Sequence, residues 1–177
     1  KIAHRSPAPA DPMRSLGAED GLDVLRDRLA IEDVLIRYAE TLDAGDIDGF
    51  LSCFTPDATI TYYDGDIVIE GHQQFRDLLT RNRSDGRVSP TDPNTGSTHC
   101  MTNIAAQVDG DTARATTTAM ITMVGRGAQA GQTIQHGARY SDDLVRVGGE
   151  WKIASRRHRQ VWKLETDPSD DRRRDVR

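Results

Sequence analysis

From Leu22 to Leu42 the apolar residues recur at helical spacing: Leu22, Leu25, Leu29, Val34, Leu35, Tyr38 and Leu42. Charged residues fill the opposite side, so the period predicts an amphipathic helix laid on a sheet. Ala44-Gly45-Asp46 stops it, with glycine suited to the left-handed residue beyond a helix end. A short second helix is predicted from Ile47 to Phe54, ended by Thr55-Pro56. The runs ATITYYD and DIVIEG then alternate as two short strands around Asp64-Gly65, a pair favoured in hairpin turns. A third helix is predicted over His72 to Asn82.

After a loop from Ser84 to Gly96, rich in Gly, Pro, Asp and Ser, the pattern changes. Such long loops often act as lids or pocket walls. THCMTNIAAQVDG, DTARATTTAMITMVGRG, QTIQHGARYSDDLVRVGG and EWKIASRRHRQVWKL read as four long strands joined by glycine-containing turns. Helices first and an antiparallel meander afterwards make an α+β layout. A strongly curved antiparallel sheet closed by the N-terminal helices would enclose a pocket between the two layers.

Composition narrows the function classes. The chain has 177 residues, enough for one domain with a substantial core. Its formal net charge of -5 argues against a nucleic-acid partner, because phosphate binding needs a basic surplus on one face. Cys53 and Cys100 stand far apart with no CxxC, so no disulfide framework is expected. No apolar run reaches the length of a membrane span, and the expected setting is cytoplasmic. Residues 1–20 read as a disordered or vector-derived segment ahead of a domain at 21–165, with 166–177 as a charged flexible tail.

Candidate chemistry starts with STHCMTN, residues 97–103. On a strand from Thr98 to Val108, simple alternation puts His99, Met101 and Asn103 on one face, like a pocket wall carrying two polar groups. Histidine titrates near neutral pH and suits a base, a ligand or a hydrogen-bonded core position. Asp43 ends the first helix five residues after Tyr38. By spacing alone it is an exposed aspartate in a helix-ending turn, disfavoured there by the helix dipole. On the last strand, alternation puts Arg157 with Trp151 and Ile153, and Arg156 on the opposite face.

The segments AIEDVLIRYAETLDAGDIDGFLSCFTPDATI, STHCMTN and ARYSDDLVRVGGEWKIASRR resemble the SnoaL-like branch of the nuclear-transport-factor-2-like superfamily. That branch includes polyketide cyclases, scytalone dehydratase, bile-acid dehydratases and a hexachlorocyclohexane dehydrochlorinase. The resemblance covers roughly Leu22 to Leu164 and implies a cone-shaped fold. It also implies an Asp43–His99 dyad, a tyrosine partner at Tyr38 and an active-site arginine at Arg156. The arginine conflicts with simple alternation, and a β-bulge would reconcile the two. Asn103, Met101, Ile121 and Tyr140 are then the expected substrate-lining residues.

The implied activity is cofactor-independent proton abstraction with elimination, isomerisation or cyclisation of an apolar oxygenated small molecule. A non-catalytic binding or assembly module, as in dioxygenase small subunits, is the rival. The second acid of bile-acid dehydratases is missing, since that region reads TTTAMITM, and His136 matches the second histidine of scytalone dehydratase poorly. The histidines form no HExxH or other metal spacing, which argues against zinc. Asp142-Asp143 reads as edge charge and Cys100 as core. Relatives form homodimers or homotrimers, and Ile121, Met123 and Val161 are expected on an outer face that joins copies.

Overall fold

The computed structural model describes residues 18–62, 67–84 and 88–166. The expected end segments fall mostly on residues 1–17 and 167–177, and the Asp64-Gly65 turn on 63–66, all outside the described residues. Helix α1 spans Ala18–Asp43, α2 Ile47–Ser52 and α3 Gly71–Ser84. The strands are β1 Phe54–Tyr62, β2 Ile67–Glu70, β3 Thr95–Asp109, β4 Thr112–Gly125, β5 Thr133–Val147 and β6 Glu150–Thr166. No helix among the described residues is long and apolar enough to cross a membrane.

All six strands form one curved sheet in the order β2-β1-β6-β5-β4-β3. The meander from β3 to β6 is antiparallel, while β1 returns to pair in parallel with β6. That parallel return places the first hairpin beside the last strand and was not legible from the pattern of the strands. The helices cover one face: α1 lies against β3 and β6, and α3 against β1. The packed stripe of α1 begins at Ile31 and continues through Val34, Leu35, Tyr38, Ala39 and Leu42, all buried. Leu22, Leu25 and Leu29, which share the period, are about half exposed, so the first turns add little core. Each fully buried side chain such as Ile31 or Leu35 contributes about 1.5–3 kcal/mol. Asp46 caps α2 by accepting from the Gly49 amide at 2.9 Å.

Three bulges decide which residues face the helices. On β3, Thr102 opposes Thr118 and Ala105 opposes Thr116, so Asn103 and Ile104 share one partner position. Asn103 takes φ 51°, a left-handed conformation that asparagine tolerates better than most residues. The expectation that Asn103 shares a face with His99 is therefore corrected. His99 and Met101 face the helices, the bulge shifts the alternation, and Asn103 is exposed on the uncovered side.

On β6, Ile153 opposes Leu144 and Ser155 opposes Asp143, which leaves Ala154 as an extra residue. Trp151 and Ile153 face inward before this bulge, and Arg156 and His158 after it. The bulge resolves the conflict over the arginines, because Arg157 points out and Arg156 points in. A third bulge, at Val161, separates Gln160 opposite Ala138 from Trp162 opposite Gly137.

Ile121 and Met123 are buried on the helix-covered face, so the expectation that they join copies is also corrected. Alternation on β4 gives the uncovered face to Met120 and Val124, which are exposed, as are Val161 and Trp162 on β6. Cys100 is likewise exposed rather than core.

Candidate active site

β3 is an edge strand, and Asp43 is where α1 meets it. Its carboxylate accepts from the His99 backbone amide at 2.7 Å and from Ser97 Oγ at 2.7 Å. The same carboxylate lies 2.6 Å from His99 Nδ1. Part of this arrangement answers a backbone need, since an edge amide without a neighbouring strand requires an acceptor. Burial alone would raise the Asp43 carboxyl, but the bonds and charge of His99, with Ser97, hold it below its ordinary value. A carboxylate beside Nδ1 favours the Nδ1–H tautomer of a neutral imidazole.

Deeper in the interior, Arg156 forms a bidentate pair with Asp142, Nε to Oδ1 at 2.7 Å and Nη2 to Oδ2 at 2.9 Å. Both side chains are almost fully buried. The guanidinium carbon lies 4.0 Å from the centre of the Tyr38 ring and 4.4 Å from that of Tyr140. Two aromatic faces and one carboxylate thus replace the water that the charge gave up. Burial opposes the charge on Arg156, but Asp142 outweighs it and the group stays ionised. Burial, followed by Tyr38, pushes the Tyr140 phenol well above its usual range, so it remains a neutral hydroxyl.

The strand register extends this polar lining. Thr117, Tyr140 and His158 form one row across β4, β5 and β6, and His136 lies opposite Ile121, which is opposite His99. The rings of His136 and His158 are 6.2 Å apart and nearly perpendicular. Four buried polar atoms here have no protein partner: Thr117 Oγ1, His136 Nδ1, His158 Nδ1 and Arg156 Nη1. An unpartnered buried polar atom costs about 1–3 kcal/mol, so these four atoms leave hydrogen-bonding capacity open in the interior.

Of the expected site residues, the fold brings Asp43, His99, Tyr38, Arg156, Met101, Ile121 and Tyr140 to the helix-covered face and leaves Asn103 outside. Asp142 and His158 were not singled out, and His136 was weighed and set aside. Asp142 lies two residues beyond Tyr140 on one strand, a spacing that carried the signal; reading the Asp-Asp pair as edge charge holds only for Asp143. Among the described residues, no three metal-ligating side chains are placed to hold an ion.

Burial pushes His158 down to about 4 from an ordinary 6.5, with His136, Arg156 and His99 adding to the effect. Burial also lowers His136. Below pH 6.5 the unfolded chain takes up a proton that folded His158 refuses until near pH 4, so stability falls across that window. His158→Gln is expected to flatten this part of the Tm–pH curve. An unchanged slope between pH 6.5 and 4 would contradict the assignment.

The SnoaL-like domain family matches residues 23–157, most of the chain. The protein belongs to the SnoaL-like family. An uncharacterized protein of Mycobacterium tuberculosis is 29% identical over 132 residues, 75% of this chain and 84% of the relative. A Novosphingobium aromaticivorans structure, provisionally named an aromatic ring hydroxylase, superposes with a TM-score of 0.68 at 27% identity, covering 80% of this chain and 94% of that one. The hexachlorocyclohexane dehydrochlorinase LinA-type3 of Novosphingobium barchaimii shares the fold, with a TM-score of 0.66, 21% identity and coverage of 81% and 92%. In this family member, Asp43 at the end of α1 meets His99 on β3, and Arg156 on β6 lies against Tyr38 of the same helix.

Proposed function

We propose that this protein is a cofactor-independent lyase or isomerase acting on an apolar, oxygenated small molecule such as a polyketide or terpenoid intermediate. The observation that carries the reading is the 2.6 Å contact of His99 Nδ1 with a carboxylate already held by Ser97 and the His99 amide. A carboxylate fixed at three points orients the imidazole and stabilises the imidazolium that forms when Nε2 takes a proton.

In a β-hydroxy ketone, Nε2 removes the proton on the carbon beside the carbonyl. The electrons pass to the carbonyl oxygen as an enolate. When the carbonyl re-forms, a carbon–carbon double bond forms, the β carbon–oxygen bond breaks, and hydroxide leaves with the transferred proton as water. Arg156 Nη1 is a fixed buried donor suited to the developing oxyanion, and the Tyr38 hydroxyl is assigned to the carbonyl or leaving group. If a proton returns to another carbon instead, the same parts perform isomerisation.

The test incubates the protein with cyclic β-hydroxy ketones and polyhydroxylated aromatic ketones while following enone absorbance. Turnover is the expected result. Tight binding without turnover would instead favour a binding or assembly module.

A further inference from the structure

The uncovered face of the sheet carries a second concentration of polar groups, unconnected with the dyad. A groove of about 550 Å³ opens there, lined among others by Arg139, Arg157, Arg159, Ser141, Asn103 and Tyr140. Neither Asp43 nor His99 reaches it. Its volume falls in the range of small-ligand sites, about 300–1,000 Å³.

The register explains why the arginines meet. Arg139 on β5 stands directly opposite Arg159 on β6, and the next outward row pairs Ser141 with Arg157. Thr118 and Thr116 flank these two rows on β4. Like charges placed directly across a strand pair repel, so sequences normally avoid them or supply a counter-charge. Nearby Arg114 has one, Asp143 at 3.4 Å. The side chains of Arg139, Arg157 and Arg159 have neither an ion pair nor a hydrogen bond to any described residue. Among the described residues, these three guanidinium groups share one groove with no carboxylate in its lining.

We propose that this groove is a second binding site, which takes a multiply charged oxyanion of the phosphate type. Planar guanidinium forks match the oxygens of such a group, and the Ser141, Thr116 and Thr118 hydroxyls supply neutral donors beside them. The left-handed turn at Asn103 holds its side chain at the rim rather than in the core. This site is independent of the proposed chemistry at His99, because its arginines occupy the opposite face.

The experiment is calorimetric titration with sodium tripolyphosphate at fixed ionic strength, on wild type, Arg139→Gln, Arg159→Gln and the double variant. Both substituted positions are exposed, and circular dichroism verifies folding. Saturable binding is expected in wild type, weakened about tenfold or more by each substitution, since each removes a charge-assisted pair of bonds. Phosphatidic-acid vesicles in a co-sedimentation arm distinguish a lipid headgroup from a free anion, and loss of pelleting in the same variants would assign the site to headgroups. Equal binding by wild type and the double variant would overturn the proposal, as would no binding beyond that of chloride at matched ionic strength. A sedimentation coefficient that falls in the double variant while wild type ignores tripolyphosphate would also overturn it, reassigning the face to contacts between copies.

Discussion

Asp142→Ala is expected to destabilise the fold by about 3–5 kcal/mol, the usual cost of leaving one member of a buried ion pair without its partner. In a domain of this size that lowers Tm by roughly 6–20 °C. The cost arises because Arg156 cannot shed its charge and sits almost wholly out of water. The Tyr38 and Tyr140 faces stabilise that charge only in part, since a ring quadrupole contributes about 0.5–2 kcal/mol. Replacing both partners, as in Asp142→Leu with Arg156→Met, is expected to recover much of the loss while removing the interior donor. Urea midpoints of Asp142→Leu, Arg156→Met and the double variant measure this coupling. A loss below about 1 kcal/mol for Asp142→Ala would show that the pair is not buried in solution.

The second large effect is on turnover. Removal of a general base lowers the rate by about 10²–10⁴-fold. His99→Ala is expected to show a loss of that size in kcat with its fold retained, because the ring is replaced at a strand position whose backbone amide still bonds Asp43. Asp43→Asn is expected to be nearly as damaging. An amide can still accept from Ser97 or the His99 amide, but it cannot supply the negative charge that holds the Nδ1 proton and steadies the imidazolium. A mild effect of Asp43→Asn beside a severe one of His99→Ala would mean that the aspartate mainly secures the strand edge.

The order of helices and strands was legible because each element carries its own period. On the strands, spacing alone placed candidate residues correctly only where strict alternation held. His99 and Met101 precede the β3 bulge and fall where alternation puts them; Asn103 sits in the bulge and falls on the wrong side. The same kind of slip on β6, at Ala154, exchanges Arg156 for Arg157. There the family resemblance named the inward arginine, and alternation named its neighbour. A bulge adds one residue and leaves no signature in apolar spacing, so sequence pattern cannot locate it. Asp142 was hidden for another reason. An acidic pair on a strand reads as solvent-facing until the buried arginine opposite one member is known. The parallel return of β1 to β6 is a long-range pairing for which local spacing carries no information.

The measurement closest to the central claim is the ratio of kcat between wild type and His99→Ala on a β-hydroxy ketone that the wild type dehydrates, with both proteins shown to be folded. If His99 is the base that Asp43 orients, the ratio is about 100 or greater. A ratio near one would contradict that role and leave the 2.6 Å contact as the fastening between α1 and the edge of the sheet.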